Sequence, residues 1–161
     1  MAFTRPFVSI LVLLGAASCQ SPVPQPVAFN HLKHTKDLGL ECQLCHQHVN
    51  TGAHAGLPDA ATCRLCHQAE QGTSPEAARV TALLTGGDPL RFNKLFRLPL
   101  HVYYSHRRHV GIAHLECRSC HGDMAATQRP PGQPLVRITM NLCLDCHRAK
   151  GQSLDCVSCH R

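Results

Sequence analysis

Few stretches of this chain keep a regular rhythm of apolar and polar positions, and most of it reads as loop. The strongest apolar run covers residues 7–14, behind Arg5 and ahead of Gly15, Ala16, Ala17 and Ser18. It is too short to span a bilayer and has the layout of an export signal. Further on, Thr73, Ser74, Pro75 and Glu76 predict a helix start with proline in the first turn, and Gly86-Gly87 predict its end. Short helices are expected around residues 59–69 and 140–150, the second stopping at Gly151. Strand patterning is negligible apart from a brief stretch at Val102, Tyr103 and Tyr104.

Comparing the chain with itself reveals a repeat. Phe29, His31 and His34 precede Cys42, with His34 eight residues before it, and Tyr104, His106 and His109 precede Cys117, with His109 eight residues before it. Both segments end in Leu-Glu-Cys-x-x-Cys-His, which marks two related modules. The expected division is an export segment at 1–18, a proline-rich tether at 19–28, a first module at 29–70, a helical linker at 71–100 and a second module at 101–161. The prolines at 22, 24 and 26 predict that the tether is extended and lifts the body off an anchor. Ala-Ala-Ser-Cys at 16–19 resembles a bacterial lipobox, which makes Cys19 the expected lipidation site.

Composition argues that the chain does not build its own core. Trp is absent, and aromatic residues make up 4%. A chain this small normally needs disulfides or metals to hold together, and it carries eleven cysteines and thirteen histidines. The formal charge of +6 would suit nucleic acid or an acidic membrane surface, but the cysteine chemistry offers another counter-charge.

That chemistry is written five times as C-x-x-C-H: Cys42, Cys45 and His46; Cys63, Cys66 and His67; Cys117, Cys120 and His121; Cys143, Cys146 and His147; Cys156, Cys159 and His160. This is the attachment signature of c-type haem. Two thiols one helical turn apart meet the two vinyl groups, and the adjacent histidine turns its imidazole onto the iron. Structural zinc could use paired C-x-x-C units but gives no reason for the histidines. By chance all five would follow the pairs with a probability on the order of 10⁻⁶. A disulfide scaffold meets the same objection. Five ferric haem c groups, each adding about one negative charge through its propionates, bring a mature chain of +5 close to neutrality, so nucleic acid is not an expected partner.

Each iron has a sixth position, and eight histidines lie outside the motifs: His31, His34, His48, His54, His101, His106, His109 and His114. In each H-x-x-H pair both imidazoles share one face of a helical turn, so each can reach a different haem. His48, His101 and His114 read equally well as surface residues or as ligands. Met124 or Met140 could replace one histidine and would raise that haem's potential.

The F-x-H-x-x-H segment ahead of C-x-x-C-H resembles the class III multihaem cytochromes. A narrower set of segments covers nearly all of the mature chain: residues 29–34, 53–58, 98–99, 102–106, 117–122, 143–148 and 156–161. Together they resemble the pentahaem cytochrome subunit of alternative complex III, a quinol-oxidising respiratory complex. The resemblance implies His31, His34, His54, His106 and His109 as the distal ligands. It also implies a small, mostly helical or coil fold of two haem-binding modules with little regular secondary structure.

The expected function is electron transfer through five haem c groups, relaying electrons from a membrane-bound oxidoreductase complex to another redox protein. No catalytic residue is expected, because five bis-histidine irons leave no open coordination position. The expected location is periplasm-facing, with the lipid on Cys19 as the membrane attachment. Gln20 after Cys19 also fits sorting to the outer membrane, and a multihaem reductase with one open haem is the competing reading.

Overall fold

In the computed structural model, residues 21–87 and 89–161 are described. The expected export segment, the expected lipidation site Cys19 and Gln20 lie outside them. Six short α-helices are joined by loops: α1 (Cys42–Cys45), α2 (Ala60–Arg64), α3 (Pro75–Thr85), α4 (Arg118–His121), α5 (Met140–Ala149) and α6 (Cys156–Cys159). Two π-helical turns, Lys33–Asp37 and Arg107–Ile112, and a 3₁₀ turn, Met124–Ala126, complete the regular structure among the described residues. The one β-type pairing among them is a bridge between Val102 and His160, at the stretch where a brief strand is expected. The described residues make a small fold of short helices, turns and coil.

Local signals account for the helix limits. The Ser74 side chain accepts the Ala77 N–H at 3.1 Å and caps α3, with Pro75 in its first turn. Thr139 caps α5 by accepting from Leu142 N–H, and Gly151 after its end takes a φ of +63° that glycine adopts without strain. Asp59 caps α2 by accepting from the Thr62 N–H and hydroxyl, which holds its carboxyl below the ordinary range. α2 is shorter than the 59–69 expected. Beyond Arg64 the chain tightens, with the Leu65 and Cys66 N–H groups donating to the Thr62 and Cys63 carbonyls.

The polypeptide encloses almost nothing of its own. Among the described residues only Val27, Val49 and Leu84 are buried hydrophobics, and no large side chain is fully enclosed. Leu65 and Val157, each between the cysteines of a C-x-x-C pair, are 62% and 84% exposed. Such a surface belongs to a chain designed to pack on something other than itself.

The two repeat segments are structurally equivalent at an offset of 75 positions, and each docks on the other module's loop. Leu32 N–H donates to Thr127 C=O at 3.0 Å, and its counterpart Arg107 N–H donates to Gly52 C=O at 2.9 Å, where Gly52 is the counterpart of Thr127. The Thr35 hydroxyl reaches Ala125 C=O at 3.0 Å. On the reciprocal side Gly111 passes so close to the Asn50 carbonyl that a β-carbon there would overlap it. The modules therefore interlock as a pseudo-twofold pair rather than following one another as beads.

The proline-rich segment is extended as its composition dictates, but it lies along the body. Gln25 exchanges two hydrogen bonds with the Asn93 backbone, and Asn93 Nδ2 donates to Pro24 C=O at 2.7 Å. Val23 N–H donates to Gly132 C=O, and Ala28 N–H donates to Glu76 on α3. Residues 23–28 are thus part of the folded body, and any free tether is confined to what precedes them.

Candidate functional site

Each C-x-x-C-H segment folds as a single helical turn. The histidine N–H donates back to the first cysteine's carbonyl in four of them: His46 to Cys42 at 2.9 Å, His67 to Cys63 at 2.9 Å, His121 to Cys117 at 3.0 Å and His160 to Cys156 at 2.8 Å. The remaining motif, Cys143, Cys146 and His147, lies within α5. All ten motif cysteines are free thiols, so no disulfide scaffold exists among the described residues. Among the described residues no group of three or more His, Cys, Asp or Glu is gathered as for a metal ion.

The two H-x-x-H pairs are built alike. Phe29 stacks on His34 at 4.4 Å and 27° and meets His31 edge-on at 4.8 Å; Tyr104 stacks on His109 at 4.5 Å and 27° and meets His106 edge-on at 4.9 Å. One aromatic ring thus fixes two imidazoles in each module. The second histidine of each pair bonds through Nδ1 to a carbonyl one turn back, His34 to Asn30 at 2.8 Å and His109 to Ser105 at 2.9 Å. The first bonds across to the other module, His31 Nδ1 to Thr127 Oγ1 at 3.0 Å and His106 Nδ1 to Ala53 C=O at 3.0 Å. Among the motif histidines, His46 Nδ1 bonds to Gly56 C=O and His147 Nδ1 to Ser153 C=O, both at 2.8 Å. A carbonyl on Nδ1 fixes the tautomer whose Nε2 carries the free lone pair, which is how metal-ligating histidines are oriented.

What these rings face is the decisive geometry. An imidazole nitrogen sits about 2 Å from a metal it ligates and about 1 Å from its own ring centre, so two imidazoles trans across one iron have centres about 6 Å apart. His34 and His67 are 6.2 Å apart, His106 and His121 are 6.2 Å apart, and His109 and His147 are 6.2 Å apart, with interplanar angles of 31°, 9° and 31°. His31 and His46 occupy the positions equivalent to His106 and His121 at the 75-residue offset, and each lies within the other's electrostatic reach.

Burial favours the neutral form of His31, His67, His106 and His121. His31 is lowered to about 4 by burial and then by His46 and His34. His67 and His121 are lowered chiefly by burial, and so is His106, where the Ala53 carbonyl acts in the opposite sense. Neutral imidazole is the form that binds a metal. Tyr104, pushed up to about 12 by burial and the nearby Cys120 and Cys143 thiols, keeps its hydroxyl proton. The donor set therefore fits haem c: ten thiols in five C-x-x-C-H segments, imidazoles in opposed pairs, and exposed apolar side chains such as Leu65 and Val157 within those segments.

The histidines that remain stand differently. His54 is exposed, and no ring pairing joins it to a motif histidine among the described residues. His48 is exposed and bonds through its backbone to Ala55, and His114 is exposed with a φ of 50°. Met124 opens the 3₁₀ turn and Met140 opens α5, the latter 58% exposed. His101 is exposed, but its ring lies 5.5 Å from that of His160. Sequence spacing alone leaves His101 open, because it sits outside either H-x-x-H pair.

Comparison with known proteins agrees with this chemistry. The class III cytochrome c family matches residues 15–84, and the family of cytochrome c7 and related cytochromes c matches residues 102–161. The chain is 29% identical to the multihaem cytochrome c subunit of menaquinone reductase from Nitratidesulfovibrio vulgaris, an alignment covering 85% of this chain and 77% of that protein.

Proposed function

We propose that this chain is a multihaem cytochrome c that carries five haem c groups and relays electrons on the periplasmic face of a membrane, as a subunit of a complex that exchanges electrons with a quinone. The observation that carries this reading is the set of three opposed imidazole pairs 6.2 Å apart, each of which would fill both remaining positions of one iron and so favours electron transfer over substrate chemistry there. Haem c supplies a one-electron ferric/ferrous couple at each iron. The protein's part is to fix the spacing between irons. His31 and His34 on one turn, and His106 and His109 on its counterpart, each tie two neighbouring centres together. Docking of Leu32 on Thr127 and of Arg107 on Gly52 brings the two halves into contact.

The ten cysteines of the five motifs hold the cofactors covalently. His46, His67, His121, His147 and His160 are the proximal ligands; His31, His34, His106 and His109 are four of the distal ones, with the fifth falling to His54 or His101. A lipid on Cys19 would keep the exported body at the membrane, where the docked segment 23–28 brings the chain's N-terminal side against α3. Alternative complex III and menaquinone reductase are both quinone-linked, and the relative's name favours a second reading in which electrons flow into menaquinone rather than out of it.

The test is to purify the native membrane complex through a tag on this chain and follow its haem absorbance. A menaquinol analogue or the corresponding quinone is expected to change the redox state of the haems in the complex, a quinone-site inhibitor to block the change, and the isolated chain to respond to neither. Recovery of the chain alone from the membrane, with no quinone-linked absorbance change, would overturn the proposal.

A further inference from the structure

The histidine opposite His160 is not the one that the resemblance implies. We propose that His101 is the sixth ligand of the iron held by Cys156, Cys159 and His160, and that His54 ligates none. This rests on the five-haem reading and goes beyond it by assigning the last axial position.

The His101 and His160 rings are 5.5 Å apart at 27°, nearly parallel like the three pairs at 6.2 Å and closer by 0.7 Å. An opening of 0.7 Å in all would bring this pair to the spacing of the other three. The two segments are clipped together by backbone. Val102 and His160 pair as an antiparallel bridge, Tyr103 N–H donates to Cys159 C=O at 2.8 Å, and Arg161 N–H donates to His101 C=O at 3.2 Å. The Arg161 guanidinium lies 4.1 Å over the Tyr103 ring and closes the clip.

His160 also differs from His46 and His147. Its Nδ1 is buried and has no hydrogen-bond partner, so no carbonyl orients its ring. The ring is positioned by the bridge behind it and by what it faces. His54 offers no comparable arrangement. Its electrostatic neighbour is His106, and the His106 ring is already opposite His121.

The test compares His101→Ala, His54→Ala and wild type, each matured with haem and checked by intact mass. Carbon monoxide binding to the reduced protein and electron paramagnetic resonance of the oxidised protein are then measured. The proposal expects five haems in all three proteins. In His101→Ala alone, one haem in five binds carbon monoxide and one fifth of the low-spin ferric signal becomes high-spin. His101→Met keeps a sixth ligand and is expected to raise the potential of one haem of the five, which provides an independent readout. A His101→Ala protein that stays fully low-spin and inert to carbon monoxide, or a His54→Ala protein that opens a haem, would overturn the assignment. A wild-type mass showing other than five haems would instead strike the reading on which it rests.

Discussion

Made in cells that cannot attach haem, the chain is expected to give no cooperative thermal unfolding transition and a circular dichroism spectrum dominated by unordered chain. Three buried aliphatic side chains among the described residues cannot offset the entropy of ordering the backbone. The helices offer little by themselves. α1, α4 and α6 are four residues each, far below the length at which a helix persists in water. The opposed imidazoles come together only if something between them repays their ordering, which makes binding and folding one event. A compact apoprotein with a sharp melt would show that the polypeptide has a core that burial does not reveal.

The second large effect is expected at the junction of the modules. Replacing Cys117 and Cys120 together by serine should lower the mass by one haem and slow electron transfer between the two halves by several orders of magnitude. Transfer over the remaining gap falls steeply with distance. The Cys117 thiol lies beside that of Cys42, and burial and that neighbour raise its pKa, so the attachment turns of the two modules meet here. His106 and His121 belong to the same junction, with His46 in electrostatic reach of both. The same replacement at Cys156 and Cys159 removes a peripheral centre and should leave exchange between the other four intact. Freeze-quench or stopped-flow spectroscopy of the two variants separates these outcomes. Equal rates in both would mean that the junction is not on the path.

Much of this was legible in the sequence because the chemistry is local. A C-x-x-C-H turn needs five consecutive residues, the cap of α3 needs Ser74 and Pro75, and the end of α5 needs Gly151; each is a short-range decision. The repeated aromatic-x-His-x-x-His segment also foretold two equivalent imidazole pairs. The cross-docking was not legible. His31 meets Thr127 and His106 meets Ala53 across 96 and 53 positions, and no spacing rule connects a histidine to a hydroxyl or carbonyl so far away. The docking of residues 23–28 escaped for a similar reason: prolines dictate an extended backbone but not whether Asn93 waits beside it. His101 was undecidable from position because its partner is chosen by a bridge between residues 102 and 160, near the two ends of one module.

The most direct measurement is the number of haems per chain, by pyridine haemochrome quantitation together with intact mass, on protein made in a host with cytochrome c maturation. The account predicts five, each through two thioether bonds at the C-x-x-C-H motifs. Fewer than five on fully matured protein, or zinc in their place, would contradict it, and the opposed histidine rings would then need another explanation.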